Sequence, residues 1–143
     1  MIIRRSDSRR VRAMALTALL LIGAPLSIAE TAPDDFRHRM VTATLVCYGV
    51  FNELSTTEWP DRDEAEAFDL RRDARHKSDF AMEMIKLYSA AYDGFDIDEQ
   101  LRIADRESGV HTMEKEKLLD MAIYCENKLA ALVEEQDKNG YTP

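Results

Sequence analysis

The chain contains only two cysteines, Cys47 and Cys125, and this pair constrains the fold more than any other feature of the sequence. With no third thiol, a single intramolecular disulfide is the only pairing available. Metal binding is the weaker alternative, because neither cysteine belongs to a C-x-x-C pair. Each cysteine falls on the apolar stripe of a predicted helix, one in the first helix and one in the last. A bond between them predicts a compact helical bundle rather than an extended hairpin.

Residues 1–29 have the organisation of a cleavable secretory signal peptide. An arginine-rich start is followed by an apolar stretch over residues 13–24, and then by the small residues Ser27 and Ala29 that a signal peptidase prefers. We therefore expect cleavage after Ala29 and export to the periplasm or the medium, where disulfides persist. The apolar stretch is shorter than the roughly 20 residues of a membrane span, which disfavours an uncleaved anchor. Ser8-Arg9-Arg10 leaves the twin-arginine export route open.

The expected mature chain is strongly acidic. Cleavage removes five of the 19 basic residues and one of the 27 acidic residues, so the formal charge changes from −8 to −12 over the remaining 114 residues. Such a charge repels nucleic acid and anionic membrane surfaces, so we expect neither as a partner, and no stable membrane insertion after processing. It is explained either by a protein partner with a basic surface or, as we favour, by solubility alone. The length predicts one domain over residues 30–143.

Apolar residues spaced three and four apart predict four helices and no strand. The predicted helices are 31–54, 61–93, 96–107 and 113–138. The residues predicted to cap their N-terminal ends are Thr31, Asp61, Asp96 and Thr112. Gly94, Gly109 and Gly140 are the predicted stops of the last three. The second helix is long for a globular domain, so a kink near Ser78 is left open. The predicted fold is all-α, a small disulfide-linked bundle of three long helices and one short helix.

No pattern of histidines or carboxylates defines a catalytic or metal site. Asp34 and His38 lie four residues apart, and an exposed contact within one helix explains this spacing better than a metal ion. His76 lies in the basic segment 71–77, which predicts either an anion-binding patch or, as we favour, a solvated helix face. His111 lies in a loop without a nucleophile motif. The ion pairs expected around His76 are Asp69 with Arg72 and Asp73 with Lys77.

Cofactor binding has equally little support in the sequence. Covalent haem attachment needs a C-x-x-C-H motif, which is absent. Haem ligation by His111 with Met40 or Met121 is a weak alternative, because methionines at helical spacing usually fill cores. Trp59 falls outside every helical stripe, so we expect it either to cap the bundle, which we favour, or to contact a partner.

The sequence therefore favours an exported, non-enzymatic interaction or binding protein that uses no cofactor or metal. The partner expected from its charge is a protein with a basic surface. Two alternatives stay open. One is a carrier of a small apolar ligand or haem in the bundle interior, and the other is an enzyme whose site the fold assembles from His76, His111 and carboxylates.

Overall fold

The computed structural model describes residues 29–143, and residues 1–28 of the predicted signal peptide lie outside the described residues. Helices account for most of the described chain, so the predicted all-α fold with three long helices and one short helix is confirmed. The elements in chain order are β1 (Glu30–Thr31), α1 (Asp34–Thr56), α2 (Glu64–Ser89), α3 (Ile97–Ser108), a 3₁₀ turn (Val110–Thr112), α4 (Lys115–Asn139) and β2 (Tyr141–Thr142).

The start of α3 and the ends of α3 and α4 follow the predicted local signals. The carboxylate of Asp96 accepts a hydrogen bond from the backbone N–H of Glu99 at 3.0 Å, which caps the first turn of α3. Gly109 and Gly140 follow the last residues of α3 and α4, each with a φ of +64°. This left-handed conformation ends a helix, and glycine adopts it without a steric penalty.

The bounds of α2 differ from the prediction at both ends. Asp63, not Asp61, caps the helix, because its carboxylate accepts a hydrogen bond from the N–H of Glu66 at 2.8 Å. Residues 61–66 contain two overlapping Asp-x-x-Glu patterns, and a turn beginning at Trp59 occupies the first of them. The helix ends at Ser89, several residues before Gly94, and it is unbroken through Ser78, where a kink was left open.

Thr31 does not cap α1, and the prediction that the chain has no strand is wrong in one detail. Glu30 and Thr31 pair in parallel with Tyr141 and Thr142, which brings the two ends of the described chain together. The Tyr141 ring also packs on Phe36 with its centroid 5.2 Å away, so tertiary contacts hold this short pair. Two residues are too few to show the alternation by which a sequence reveals a strand.

The disulfide between Cys47 and Cys125 is present, as predicted. It joins the middle of α1 to the middle of α4 with a Cα–Cα distance of 5.4 Å, which is typical of disulfides. Both cysteines are buried in one of two core clusters, together with Val50, Phe51 and Leu129. We call it the disulfide cluster. The bond therefore lies within the packed core rather than on its surface.

Helix α1 is the centre of the bundle. It packs against α2, α3 and α4, whereas α2 and α4 hardly touch each other. A second core cluster fills the other end of the α1–α2 contact around Phe36, Ile85 and Tyr88. Helix α3 contains no fully buried residue, and its predicted inward residues Leu101 and Ala104 pack partly buried against that cluster. Within residues 29–143, no helix combines the length and apolar character needed to cross a bilayer.

Candidate functional site

A groove with a volume of about 820 Å³ lies between α2 and α4. It exists because these two helices flank α1 without closing on each other. Phe51 of α1 lines it, as do Phe80 of α2 and Leu129 and Val133 of α4. Phe80 is 45% exposed, although aromatic residues of this size are usually largely buried. The groove therefore presents an apolar surface to solvent.

A smaller pocket of about 220 Å³ continues the opening towards the N-terminal ends of α2 and α4. Leu54 and Leu70 line this part, and Ile123 at its edge is 58% exposed. Phe51, Lys77 and Glu126 line both parts, so the two form one trough, which we call the α2–α4 groove. Its wall on α4 extends from Leu119 to Lys138, about 28 Å of helix at 1.5 Å per residue.

An ion pair crosses the α2–α4 groove where its two parts meet. The ammonium of Lys77 donates hydrogen bonds to Asp73 at 2.5 Å and to Glu126 at 2.6 Å. Partial burial opposes the charged form of this lysine, but the two carboxylates outweigh it and raise the pKa of Lys77. The predicted pair of Asp73 with Lys77 is therefore confirmed, and so is that of Asp69 with Arg72, at 2.9 Å. The contact with Glu126 links α2 to α4.

The edge of the groove is acidic at its wide end. Glu134 and Asp137 of α4 line it and form no salt bridge with any other described residue. Lys138 is the cation beside them, and Lys77 is already paired with Asp73 and Glu126. Four carboxylates thus face two ammonium groups around the groove, which gives its edge a net negative charge.

Another pocket, of about 340 Å³, lies between α1 and α4, the two helices that the disulfide joins. His38, Arg39, Tyr124 and Lys128 line it. Arg39 is not available to an anion there, because its guanidinium donates two hydrogen bonds to Glu135, at 2.7 and 2.9 Å. The same contact lowers the pKa of Glu135 and raises that of Arg39. We therefore interpret Arg39 as a structural link between α1 and α4.

His111 links α1 to α3 through both nitrogens of its ring. Its Nδ1 lies 2.6 Å from Glu53 of α1, and its Nε2 lies 3.0 Å from Asp105 of α3. The hydrogen bond with Glu53 is the main cause of a raised pKa of His111. With both nitrogens engaged, the imidazole has no free position from which to act as a base. The sequence placed His111 in a loop but gave no sign of these partners, which are 58 and 6 positions away.

The structure does not bring the other chemistry-bearing candidates together. His76 lies exposed on α2 and shares no hydrogen bond or pocket with His111. Met40 is buried in the cluster around Phe36, Met121 packs against the disulfide cluster, and His111 is at the surface. Among the described residues, no three His, Cys, Asp or Glu side chains are placed to hold a metal ion.

Trp59 covers the end of the disulfide cluster. Its side chain is only 9% exposed, and the cationic groups of Arg62 and Lys115 lie over the ring, 5.4 and 5.7 Å from its centroid. The indole Nε1 is buried without a hydrogen-bond partner among the described residues. This placement is that of a cap on the bundle, and it leaves little of the ring for a partner. A partner contact at Trp59 stays a prediction.

The described chain is thus a small all-α bundle with a disulfide across its core, an open apolar groove and an acidic edge along that groove. Comparison of the chain with protein-family models, curated proteins and solved structures gave no match of any kind.

Proposed function

We propose that this protein is an exported, non-enzymatic interaction module that binds a partner protein with a basic surface through the α2–α4 groove. The observation that carries the proposal is an apolar groove with an acidic edge. Phe80 and Ile123 are about half exposed to water, because α2 and α4 hardly touch each other across the groove. Exposed apolar surface with a polar edge is typical of protein-binding sites.

Charge supports a basic partner. Residues 29–143 carry a formal charge of −12, since all five arginines and the one aspartate outside this range precede residue 29. The long-range field of such a chain accelerates encounter with a cationic protein and slows encounter with an anionic one. Around the groove itself, Glu134 and Asp137 are the carboxylates that a basic side chain can pair with.

The two alternative functions have weaker support. A carrier that holds a small apolar ligand in the bundle interior needs an enclosed cavity, and the apolar surface here is an open groove. Haem binding needs axial ligands that face each other, and Met40, Met121 and His111 lie apart. An enzyme site built on His111 would need a free imidazole nitrogen, and both nitrogens of His111 contact carboxylates.

Export is part of the proposal and rests on the predicted leader and on the disulfide, since such bonds are rare in reducing compartments. Mass spectrometry of protein made in a cell with its own leader tests it directly. We expect a chain that begins at Glu30 and that is two hydrogens lighter than its reduced form. An intact leader on the recovered protein would contradict export by cleavage.

Binding through the groove is tested by placing a photo-crosslinking amino acid at Ile123 and, in a matched variant, at Tyr124. The two neighbours are both 58% exposed, but Ile123 faces the α2–α4 groove and Tyr124 faces the α1–α4 pocket. In cells that export the protein, we expect a cross-link from position 123 to a protein with a basic surface, weakened by salt and absent from position 124. Equal cross-links from both positions, or a salt-independent one, would refute the proposal.

A further inference from the structure

We propose that the α2–α4 groove receives one amphipathic α-helix of the partner, with apolar residues against Phe51 and Phe80 and with basic residues beside Glu134 and Asp137. This inference rests on the proposed function and specifies the partner's structure. It follows from the shape of the groove, from the backbone groups available around it and from the distribution of charge along its two sides.

The shape of the groove fits a helix. Its walls are two helices that both pack on α1, so that a further helix laid between them would complete a bundle around Phe51. The wall on α4, about 28 Å long, matches a helix of about 18 residues. Such a helix presents an apolar residue to the groove once per turn, at i, i+3 or i+4, and i+7.

The backbone around the groove excludes the other common form of bound peptide. An extended segment binds by adding a strand to a sheet edge, where unpaired N–H and C=O groups accept it. The groove is lined by α1, α2 and α4, whose backbone groups are already paired within the helices. An α-helix pairs its own backbone N–H and C=O groups, so it needs no backbone partner from the walls of the groove.

Charge orients the occupant. The carboxylates without a salt bridge, Glu134 and Asp137, are on the α4 side of the wide end. The α2 side of that end offers Phe80 and the already paired Lys77. A partner helix therefore gains most when its lysines or arginines lie along one flank, towards α4, and its opposite flank is uncharged. A second copy of this chain is a poor occupant, because two such copies repel each other.

The probe for this test is a synthetic 18-residue peptide of leucine, lysine and alanine, with leucines at helical spacing and lysines along one flank. Two peptides control for its chemistry. One has the same composition but D-residues at alternate positions, which prevents helix formation, and the other has glutamate in place of lysine. Binding to the mature, disulfide-bonded protein is measured by fluorescence anisotropy at low and at physiological salt.

Two pairs of variants locate the binding site. Phe80→Ser removes the exposed ring in the groove, and Phe68→Ser removes a ring of similar exposure, 55%, on the same helix but outside the groove. The double variant Glu134→Lys/Asp137→Lys reverses the acidic edge. Asp93→Lys/Glu107→Lys changes the net charge equally at positions outside the groove, and so separates local pairing from the overall field. Circular dichroism confirms that each variant remains folded.

We expect the helical basic peptide to bind at least about tenfold more tightly than either control peptide. Phe80→Ser and the Glu134/Asp137 reversal should each weaken it about tenfold, and their matched variants less than about threefold. Equal binding of the D-residue peptide would refute a helical occupant. Salt-sensitive binding that both Phe80→Ser and Phe68→Ser leave unchanged would refute the groove as its site, while the proposed function would then depend on the cross-linking result alone. A dimer that forms through the groove, detected by sedimentation and abolished by Phe80→Ser, would assign the groove to a second copy and overturn the inference.

Discussion

Reduction of the disulfide is expected to remove a large part of the stability of this protein. Cys47 and Cys125 are 78 positions apart in the chain, so the bond closes a loop that includes most of the described domain. In the chain-entropy treatment, closing a loop of that size lowers the entropy of the unfolded chain enough to stabilise the fold by about 4 kcal/mol. Domains of this size are usually stable by only about 5–15 kcal/mol. The reduced protein should therefore keep only about 1–11 kcal/mol of stability.

The assay is urea unfolding of the same protein with and without a reductant. Reduction breaks only the S–S bond, whereas Cys47→Ala/Cys125→Ala also removes two buried sulfur atoms, so the double variant should be less stable than the reduced protein. Trp59 is the single tryptophan of the chain, and its buried side chain makes its fluorescence a reporter of unfolding. Far-UV circular dichroism on the same samples reports the loss of helix.

Loop closure by the disulfide predicts two results in this experiment. Because the bond acts mainly on the unfolded chain, the reduced protein must keep its native helix content in the absence of urea, provided that enough stability remains to fold it. It must also unfold at a much lower urea concentration. A difference of less than about 1 kcal/mol in the free energy of unfolding would refute the argument, because the loop-closure contribution would then be absent.

Changes at four further sites test local features of the fold. Replacement of His111 by Asn should reduce stability most at about pH 6 and below, because the protonated imidazole is the form that Glu53 binds. The difference in stability should vanish as the pH rises through the raised pKa of the folded imidazole. Urea midpoints at several pH values measure this difference, and a difference independent of pH would contradict the prediction. Gly140→Ala should lower the free energy of unfolding by about 1 kcal/mol, since Gly140 has a positive φ. Gly49→Ala should raise it by about 0.5–1 kcal/mol, because Gly49 is inside α1 and an added Cβ meets nothing. Asp96→Ala should cost about 1 kcal/mol in thermal or urea unfolding and Asp96→Asn much less, since asparagine also caps a helix.

Features encoded within a few residues could be predicted from the sequence. The cap at Asp96 and the stops at Gly109 and Gly140 depend on side chains and dihedral angles within one turn, and all three are found in the structure. The pairing of Cys47 with Cys125 needed only a count of thiols and the apolar stripe of each helix. Where two local signals compete, as at Asp61 and Asp63, the sequence alone does not decide between them.

Features that depend on how helices pack could not be predicted. The strand pair between residues 30–31 and 141–142 joins the two ends of the domain, and the partners of His111 come from two other elements. The groove is a further case, because Phe80 appears in the sequence as one more apolar residue of α2. Its exposure follows only from the observation that α4 does not close over it.

The disulfide and the α2–α4 groove are connected through the helical period of α4. The buried face of that helix carries Ala122, Cys125 and Leu129 against α1, and the residues next to them, Ile123 and Ala130, are therefore turned to the side where the groove lies. Because the bond fixes α4 to α1 covalently, the wall of the groove that the proposed partner helix would contact is held in place by the fold itself. A preformed site loses less conformational entropy on binding than one that must be assembled. Reduction should therefore weaken binding in the groove even where the helices remain folded, since α4 would then be held to α1 by packing and by the Arg39–Glu135 contact alone.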